Sequence, residues 1–334
     1  MHCATERFIS LPRPSSPRKL SGLPTGKLWI AVRRDPLVFN RRSGRVVNAS
    51  APIQTAQQHV GSSLQPKGGS NAQKLSLVTR AASDTSQDFI DVAPEPDAAS
   101  YEGIKAFVAG ASGRTGREIV KALVARGVRV RAMARDTNEA AKLLPGLDQG
   151  VEVVKGDVFK FQTLPGAISD CNVVLCATGS ASLADPFGPY SVDYQGTKNL
   201  VAAAKQAGVK RFVFVSSIGA DDVFFPLNLA WGVLFWKKRA EEEIQRSGIT
   251  YTVVRPGGLL DEPRGEQAGN VVMKGADSFG LPPRSQPGSI LRSQVADCCV
   301  QALVLPSAAG KVVEVIASNS APLRSVEELY RSVD

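Results

Sequence analysis

A glycine-rich turn between an apolar run and an amphipathic segment restricts this chain to few folds. The run Ala106-Phe107-Val108-Ala109 has no helical period, and glycines follow it at positions 110, 113 and 116. Apolar residues then recur at helical spacing from 119 to 124, and residues 128–132 alternate as in a strand. The order of strand, glycine turn, helix and strand predicts the first βαβ unit of a parallel sheet.

Each glycine of this turn has its own physical role. Gly110 lets the chain turn sharply off the strand, Gly113 leaves room for a phosphate, and Gly116 lets the helix lie close to the strand. The helix N-terminus offers free N–H groups and a positive dipole end to a pyrophosphate. This context predicts dinucleotide binding, and a merely structural turn is the alternative. The predicted contacts in the turn are Gly110, Ser112, Gly113, Arg114, Thr115 and Gly116.

The charge after the second strand bears on which dinucleotide is bound. An NAD site usually has Asp or Glu there, for the ribose hydroxyls. This strand instead ends at Arg135-Asp136, and Arg114 lies inside the glycine turn. Two guanidinium groups suit a 2′-phosphate, because Arg presents a planar fork of donors. We predict NADP; in the alternative, Arg135 is a solvated strand end and Asp136 binds the ribose of NAD.

The formal charge of +9 is concentrated at the front of the chain. Residues 1–80 hold 13 Lys/Arg and 2 Asp/Glu, whereas residues 81–334 hold 27 Lys/Arg and 29 Asp/Glu. The front segment is rich in Arg, Ser and Pro and lacks the apolar core of a secretory signal, which predicts an organellar transit peptide. A basic arm for nucleic acid is the alternative, but the rest of the chain has no charge that suits such a partner. An acidic linker is predicted over 81–102.

The histidines and cysteines exclude several chemistries. His2 and His59 both lie in the front segment, so residues 103–334 contain no histidine. This excludes Ser-His-Asp hydrolysis and His-ligated zinc in the predicted domain, and no metal site is expected. Cys171 and Cys176 are predicted core residues, as is the pair 298–299, for which a redox-sensitive thiol is the alternative. No apolar run reaches the length of about 18 residues that a membrane span needs.

Strands and helices continue to alternate along the rest of the chain. Further strands are predicted at 151–154, 171–176, 212–215, 250–254 and 311–317, and helices at 190–206, 230–246 and 293–305. This pattern predicts an α/β fold: a single doubly wound parallel-sheet Rossmann domain over 103–334, with a disordered N-terminal extension. Residues 259–289 are predicted to form a loop that covers the site. Ligands bind past the carboxyl ends of such strands. The cofactor contacts predicted there are Asp157, Val158, Ala177, Thr178, Gly179 and Pro256.

Five motifs follow one another at predicted strand ends: GASGRTG, GDV, ATG, VSSIGA and RPGG. Together they resemble the atypical NAD(P)-binding branch of the short-chain dehydrogenase/reductase superfamily. Residues 188–200 and 226–258 look like the dehydrogenase-like domain of the ferredoxin-NADP reductase-binding component of the chloroplast inner-envelope translocon. This resemblance implies a plastid address for residues 1–80. That component carries Pro/Ser-rich repeats that bind the reductase, whereas this chain stops at Asp334, which argues against docking of the reductase.

The resemblance also bears on catalysis. Active members of the superfamily use a Ser at the end of the fifth strand and a Tyr-x-x-x-Lys pair on the following helix, in which Tyr donates a proton and Lys holds the ribose. Ser216 and Lys237 match the Ser and Lys positions, but Val233 stands where the Tyr is expected. Tyr194 and Lys198 have the right spacing on the wrong helix. Ser216, Lys237 or Asp221 could supply a proton, and the spacing does not select among them.

Residues 224–236 are unusually apolar and aromatic, and Lys237-Lys238-Arg239 follow them. Such a segment either contacts a membrane or partner protein or packs in the core, and burial is the favoured interpretation. We predict a chloroplast NADP(H)-binding module whose cofactor state changes which membrane or protein surface it contacts. The alternatives are an NADPH-dependent reductase of a small carbonyl, quinone or enone, and a cofactor-retaining assembly scaffold for thylakoid complexes.

Overall fold

The structure, a computed structural model, describes residues 97–180, 184–263 and 269–334. It also describes two short strands, Val38–Asn40 and Arg45–Val47, which pair antiparallel. The chain divides into two units, Met1–Thr85 and Ser86–Asp334. Apart from the two strands, the predicted transit peptide lies outside the described residues, as does most of the predicted linker.

The second unit is built around one large sheet. Its strands, and a separate short pair, are β1 (Lys105–Ala109), β2 (Arg129–Ala134), β3 (Val151–Lys155), β4 (Val173–Cys176), β5 (Arg211–Val215), β6 (Thr250–Pro256), β7 (Gly258–Leu260), β8 (Asn270–Gly275), β9 (Ser289–Leu291) and β10 (Lys311–Ser318). In the part of the chain described, the large sheet has the order β3-β2-β1-β4-β5-β6-β10-β8. The first six strands have the order typical of a dinucleotide-binding fold, which confirms the predicted doubly wound architecture.

Helices cover both faces of this sheet. They are α1 (Arg114–Ala125), α2 (Thr137–Leu143), α3 (Leu164–Ile168), α4 (Thr197–Gln206), α5 (Val233–Arg246), α6 (Arg292–Gln301) and α7 (Val326–Arg331). One apolar core joins the sheet to α1, α2, α6 and α7, and the other joins it to α3, α4 and α5. Residues Ala106 to Ala109 are buried because helices cover both faces of β1, which also pairs with a strand on each edge.

Four predicted elements, three helices and one loop, differ from the structure. The predicted helix 190–206 begins with a π-helical stretch, Pro189–Gly196, before α4. The predicted helix 230–246 begins only at Val233, because Trp231 and Gly232 have positive φ angles of 57° and 68°. The predicted helix 293–305 ends at Gln301.

The predicted loop 259–289 contains strands. Strand β8 lies antiparallel to β10 at the edge of the large sheet, and β7 pairs in parallel with β9. The prediction of a loop over 259–289 was therefore wrong for these residues, and the predicted parallel sheet gains one antiparallel strand at its edge. The connection from β8 to β10 runs through β9 and α6, so this antiparallel pairing joins segments that are distant in the sequence.

Candidate functional site

Backbone contacts explain the glycines between β1 and α1. Gly110 has a φ of +78°, and a Cβ there would lie 2.7 Å from the carbonyl oxygen of Ala177. A Cβ on Gly116 would lie 2.0 Å from the carbonyl oxygen of Gly110, so only glycine lets α1 approach β1 this closely. Helix α1 starts after Gly113 without a side-chain cap and without an acidic residue in its first turn. Its first N–H groups are therefore free to bind an anion.

A cavity of about 480 Å³ lies in front of this turn, at the carboxyl ends of β1 to β4. The structure brings nine of the predicted cofactor residues together in its lining: Gly110, Ser112, Gly113, Arg135, Asp157, Val158, Ala177, Thr178 and Gly179. The other predicted contacts lie outside the lining. Arg114, Thr115 and Gly116 form the first turn of α1, Pro256 ends β6, and Lys237 lies on α5.

The acidic residue that could bind an NAD ribose has another partner. Asp136 caps α2, because its Oδ1 accepts hydrogen bonds of 3.0 Å from the backbone N–H groups of both Asn138 and Glu139. Arg135 beside it is exposed and forms no ion pair with an acid in the described part of the chain. Asp157 Oδ1 accepts from the N–H of Phe159 at 3.0 Å, as a turn residue does.

Arg114 contacts an acid that the sequence did not single out. Its Nη1 lies 3.0 Å from Oδ2 of Asp261, and Oδ1 of the same carboxylate lies 2.8 Å from Nη1 of Arg292. Asp261 follows β7, so this shared carboxylate links the start of α1 to the start of α6. Arg114 is thus turned towards Asp261 rather than into the cavity.

Lys237 lies near Gly179 of the cavity lining, against a buried acid. Its ammonium nitrogen is 2.8 Å from Oδ1 of Asp193, which is fully buried, and Oδ2 accepts from the N–H of Ser180 at 3.1 Å. A Cβ on Gly179 would lie 3.6 Å from Asp193 Oδ1 and 3.9 Å from Lys237 Nζ, which places both groups beside the lining. Asp193 lies in the π-helical stretch, a feature frequent at functional sites.

Ser216 is buried rather than open to a substrate. Its Oγ donates a hydrogen bond of 2.5 Å to Oε1 of Glu241, which is also fully buried. The same carboxylate accepts from Arg255 through Nε at 2.9 Å and Nη2 at 2.6 Å. The Ser216 hydroxyl therefore belongs to a buried polar network between β5, β6 and α5.

Arg255 is surrounded by further carboxylates. Its Nη1 contacts Asp221 and lies 3.4 Å from Glu314 and 3.7 Å from Asp277. Oxygens of these three acids lie within 4.8 Å of one another, and the guanidinium compensates their charge. The hydrogen bond with Asp221, helped by burial, raises the pKa of Asp277 to about 6. Burial opposes ionisation of Asp221, but hydrogen bonds to its neighbours outweigh it and hold its pKa below the ordinary value.

The apolar segment before α5 is largely exposed, so the favoured burial interpretation was wrong for most of it. Phe224 is 89%, Leu229 90% and Trp231 51% exposed, whereas Leu234 is buried. The positive φ angles at Trp231 and Gly232 explain this, since α5 cannot extend backwards to bury one face of the segment. We name residues 223–232 the apolar loop.

The four cysteines in the described part of the chain are buried core residues, as predicted. Cys171, Cys176, Cys298 and Cys299 are free and buried. Burial raises the pKa of Cys171 to about 11 and that of Cys298 to about 12, which disfavours the reactive thiolate. In the described ranges, no helix is long and apolar enough to cross a membrane.

Comparisons with known proteins give the relatives of this fold. The model of a family described as NAD(P)H-binding matches residues 110–306. An uncharacterized chloroplastic protein of Arabidopsis thaliana is 41% identical over 240 residues, which are 69% of this chain and 82% of that protein. The chloroplastic protein TIC 62 of the same plant is 36% identical over 250 residues, 68% of this chain and 38% of its own length. A solved Bacillus halodurans protein, described as resembling an NAD-dependent epimerase/dehydratase, is 27% identical with a TM-score of 0.58 and covers 69% of this chain and 99% of its own.

Proposed function

This chain belongs to the NAD(P)H-binding family, and from that membership we propose that it is a chloroplast module that binds NADP(H) and contacts a membrane surface according to the redox state of the cofactor. The observation that carries the proposal is the glycine turn, whose uncapped helix start faces a 480 Å³ cavity. The chloroplastic relatives support the location.

Two neighbouring residues support NADP over NAD. Asp136 already accepts two hydrogen bonds from the backbone of α2, so it is poorly placed to bind ribose hydroxyls as well. Arg135 lines the cavity, and the described residues offer it no acidic partner. A guanidinium group without an acidic partner is suited to bind a 2′-phosphate.

The absence of a usual proton donor favours binding over catalysis. Val233 stands at the position expected for Tyr, and the Ser216 hydroxyl is bonded to Glu241. Lys237 is held by the buried Asp193 beside Gly179, a position from which its ammonium group could hold the nicotinamide ribose. When bound, NADP(H) would supply a redox-active nicotinamide, and these residues would hold and orient it.

The apolar loop lies directly before the helix that carries Lys237, which suggests a route for the redox response. Trp236 precedes Lys237 and packs against Phe235 with ring centroids 5.0 Å apart, and against Tyr190 at 4.9 Å. A change in how the cofactor engages Lys237 would therefore act on the start of α5. Exposed Phe224 and Leu229 have the apolar character of an interfacial membrane contact, while the cations that follow on α5 pair with Asp193, Asp221 and Glu242.

Vesicle flotation tests the proposal. The full chain would be mixed with vesicles containing anionic phosphatidylglycerol, with NADP⁺, NADPH or neither. We expect the floated fraction to differ between the two redox states, and Phe224→Ser with Leu229→Ser to abolish flotation. Leu323→Ser is the control, because Leu323 is also exposed but lies after β10, outside the apolar loop.

Other outcomes would favour the alternatives. A floated fraction that is the same with NADP⁺, with NADPH and without cofactor would refute the redox response. NADPH consumption with a panel of quinones and enones, lost in Lys237→Ala, would instead support the reductase. Cofactor binding with neither turnover nor flotation would support the assembly scaffold.

A further inference from the structure

A second cavity, of about 630 Å³, adjoins the first one at the edge of the large sheet. It lies beside β3, the edge strand, and extends to Gly166 and Ala167 on α3. Arg135, Gly156 and Asp157 line both cavities. We name it the edge cavity.

The edge cavity has an excess of positive charge. Arg131 in its lining is neutralised, since its Nη1 lies 2.7 Å from Glu152 and its Nε donates to the carbonyl of Ala167 at 2.9 Å. The other three cations of the lining have no acidic partner among the described residues. They are Arg135, Lys155 and Lys160.

Only one further acid faces these three cations from the lining, and it has another role. Asp157 Oδ1 accepts from the N–H of Phe159, and no lysine or arginine pairs with it in the described ranges. The three cations and this one acid leave a surplus of two positive charges. A phosphate monoester carries about −1.5 to −2 charges at neutral pH, which matches that surplus.

We propose that Lys155 and Lys160, together with Arg135, form the subsite for the 2′-phosphate of the cofactor; this rests on the proposed NADP(H) binding. A dinucleotide whose pyrophosphate lies on the amides of the glycine turn extends its adenosine past the ends of β2 and β3. The wall that the two cavities share lies there. A phosphate on that ribose therefore faces the three cations, whereas the ribose of NAD brings no charge to them.

The lysines are expected to select between the two cofactors rather than to tighten both. Removing one unit charge about 4 Å from a phosphate in water costs affinity about fivefold for each charge on the anion. Lys155→Gln and Lys160→Gln should each weaken NADPH binding about five- to thirtyfold and leave NADH binding unchanged. Added salt should weaken NADPH binding to the wild type more than to the double variant, because screening acts on the charges that were removed.

Fluorescence titration of the full chain with NADPH and with NADH tests this. Lys210→Gln is the matched control, because it removes one exposed lysine at the opposite, N-terminal end of β5. Competition by 2′-AMP, 5′-AMP and inorganic phosphate shows which group the subsite binds. We expect 2′-AMP to compete best, and to lose that advantage in the double variant.

Four outcomes would overturn the proposal, and they can be told apart. The wild type could bind NADPH more tightly than NADH while the lysine variants keep the same ratio of the two affinities. In that case the assignment of the subsite is wrong although the proposed function stands. If the lysine variants bind NADPH and NADH equally more weakly, the lysines affect nucleotide binding in general and do not recognise the 2′-phosphate. If the wild type binds neither nucleotide, the proposed function fails and the subsite fails with it. Competition by inorganic phosphate as strong as by 2′-AMP would mean a free-anion site instead.

Discussion

Replacing Gly113 by alanine should separate cofactor binding from folding. Gly113 has an extended conformation, φ −69° and ψ 161°, that alanine adopts without strain. Its new Cβ would lie 3.2 Å from the carbonyl oxygen of Gly110, a tight contact that a small shift relieves. We therefore expect the free energy of unfolding to change by no more than about 1 kcal/mol.

Cofactor binding should respond much more strongly to the same methyl group. It would stand where a phosphate approaches the backbone and would block at least one charge-assisted hydrogen bond, worth about 1.5–3 kcal/mol. The affinity for NADPH should fall about 10- to 100-fold. Gly116→Ala should differ, because its Cβ would meet the carbonyl oxygen of Gly110 at 2.0 Å and its carbon at 2.8 Å. Both of these atoms belong to the backbone, which cannot rotate away as a flexible side chain can. We therefore expect a loss of stability of about 3 kcal/mol or more.

Urea unfolding followed by circular dichroism measures stability, and NADPH fluorescence titration measures binding. Gly275→Ala is the control, since its Cβ would make an ordinary contact of 3.6 Å with Val333 at the far edge of the sheet. Unchanged NADPH affinity in Gly113→Ala would refute the assignment of this turn to the pyrophosphate. A fully stable Gly116→Ala would refute the steric reasoning.

Three further predictions concern single residues. Arg135→Ser should weaken NADPH binding about tenfold or more and spare NADH, as calorimetry with both nucleotides would check; equal loss of both would contradict it. Glu241→Gln should destabilise the fold by about 1–3 kcal/mol in urea unfolding, because an amide has one acceptor oxygen where Ser216 and two nitrogens of Arg255 donate, while Asp221 and Glu314 still compensate the guanidinium; an unchanged free energy of unfolding would contradict it. Asp277 has a pKa raised to about 6 from 3.8, so the folded state holds its proton more tightly and stability falls as pH rises through that range. Asp277→Asn should remove this fall and be more stable than the wild type above about pH 7, while a pH profile identical to the wild type would count against it.

The succession of strands and helices could be predicted because its signals are local. The apolar run at β1, the helical spacing in α1 and the small residues at strand ends each report on their own segment. The antiparallel strand β8 gave no such signal, since its partner β10 lies about forty residues later and Gly and Pro flank it. Its pairing depends on long-range contacts that periodicity does not contain.

The site was predictable to the same extent. The glycine turn has a motif, and nine predicted residues line the first cavity. The cap formed by Asp136 and the pairing of Arg114 with Asp261 depend on where side chains turn after folding, as does the burial of Asp193 against Lys237. The exposure of the apolar loop was missed because composition alone does not reveal the positive φ angles at Trp231 and Gly232, which prevent α5 from beginning earlier.

A crystal structure of the chain with NADPH bound tests the central claim most directly. The account predicts pyrophosphate oxygens about 2.7–3.2 Å from backbone nitrogens between Ser112 and Gly116, with the adenosine towards β2 and β3. A nucleotide bound elsewhere, or amides of the turn left without a phosphate contact, would contradict it.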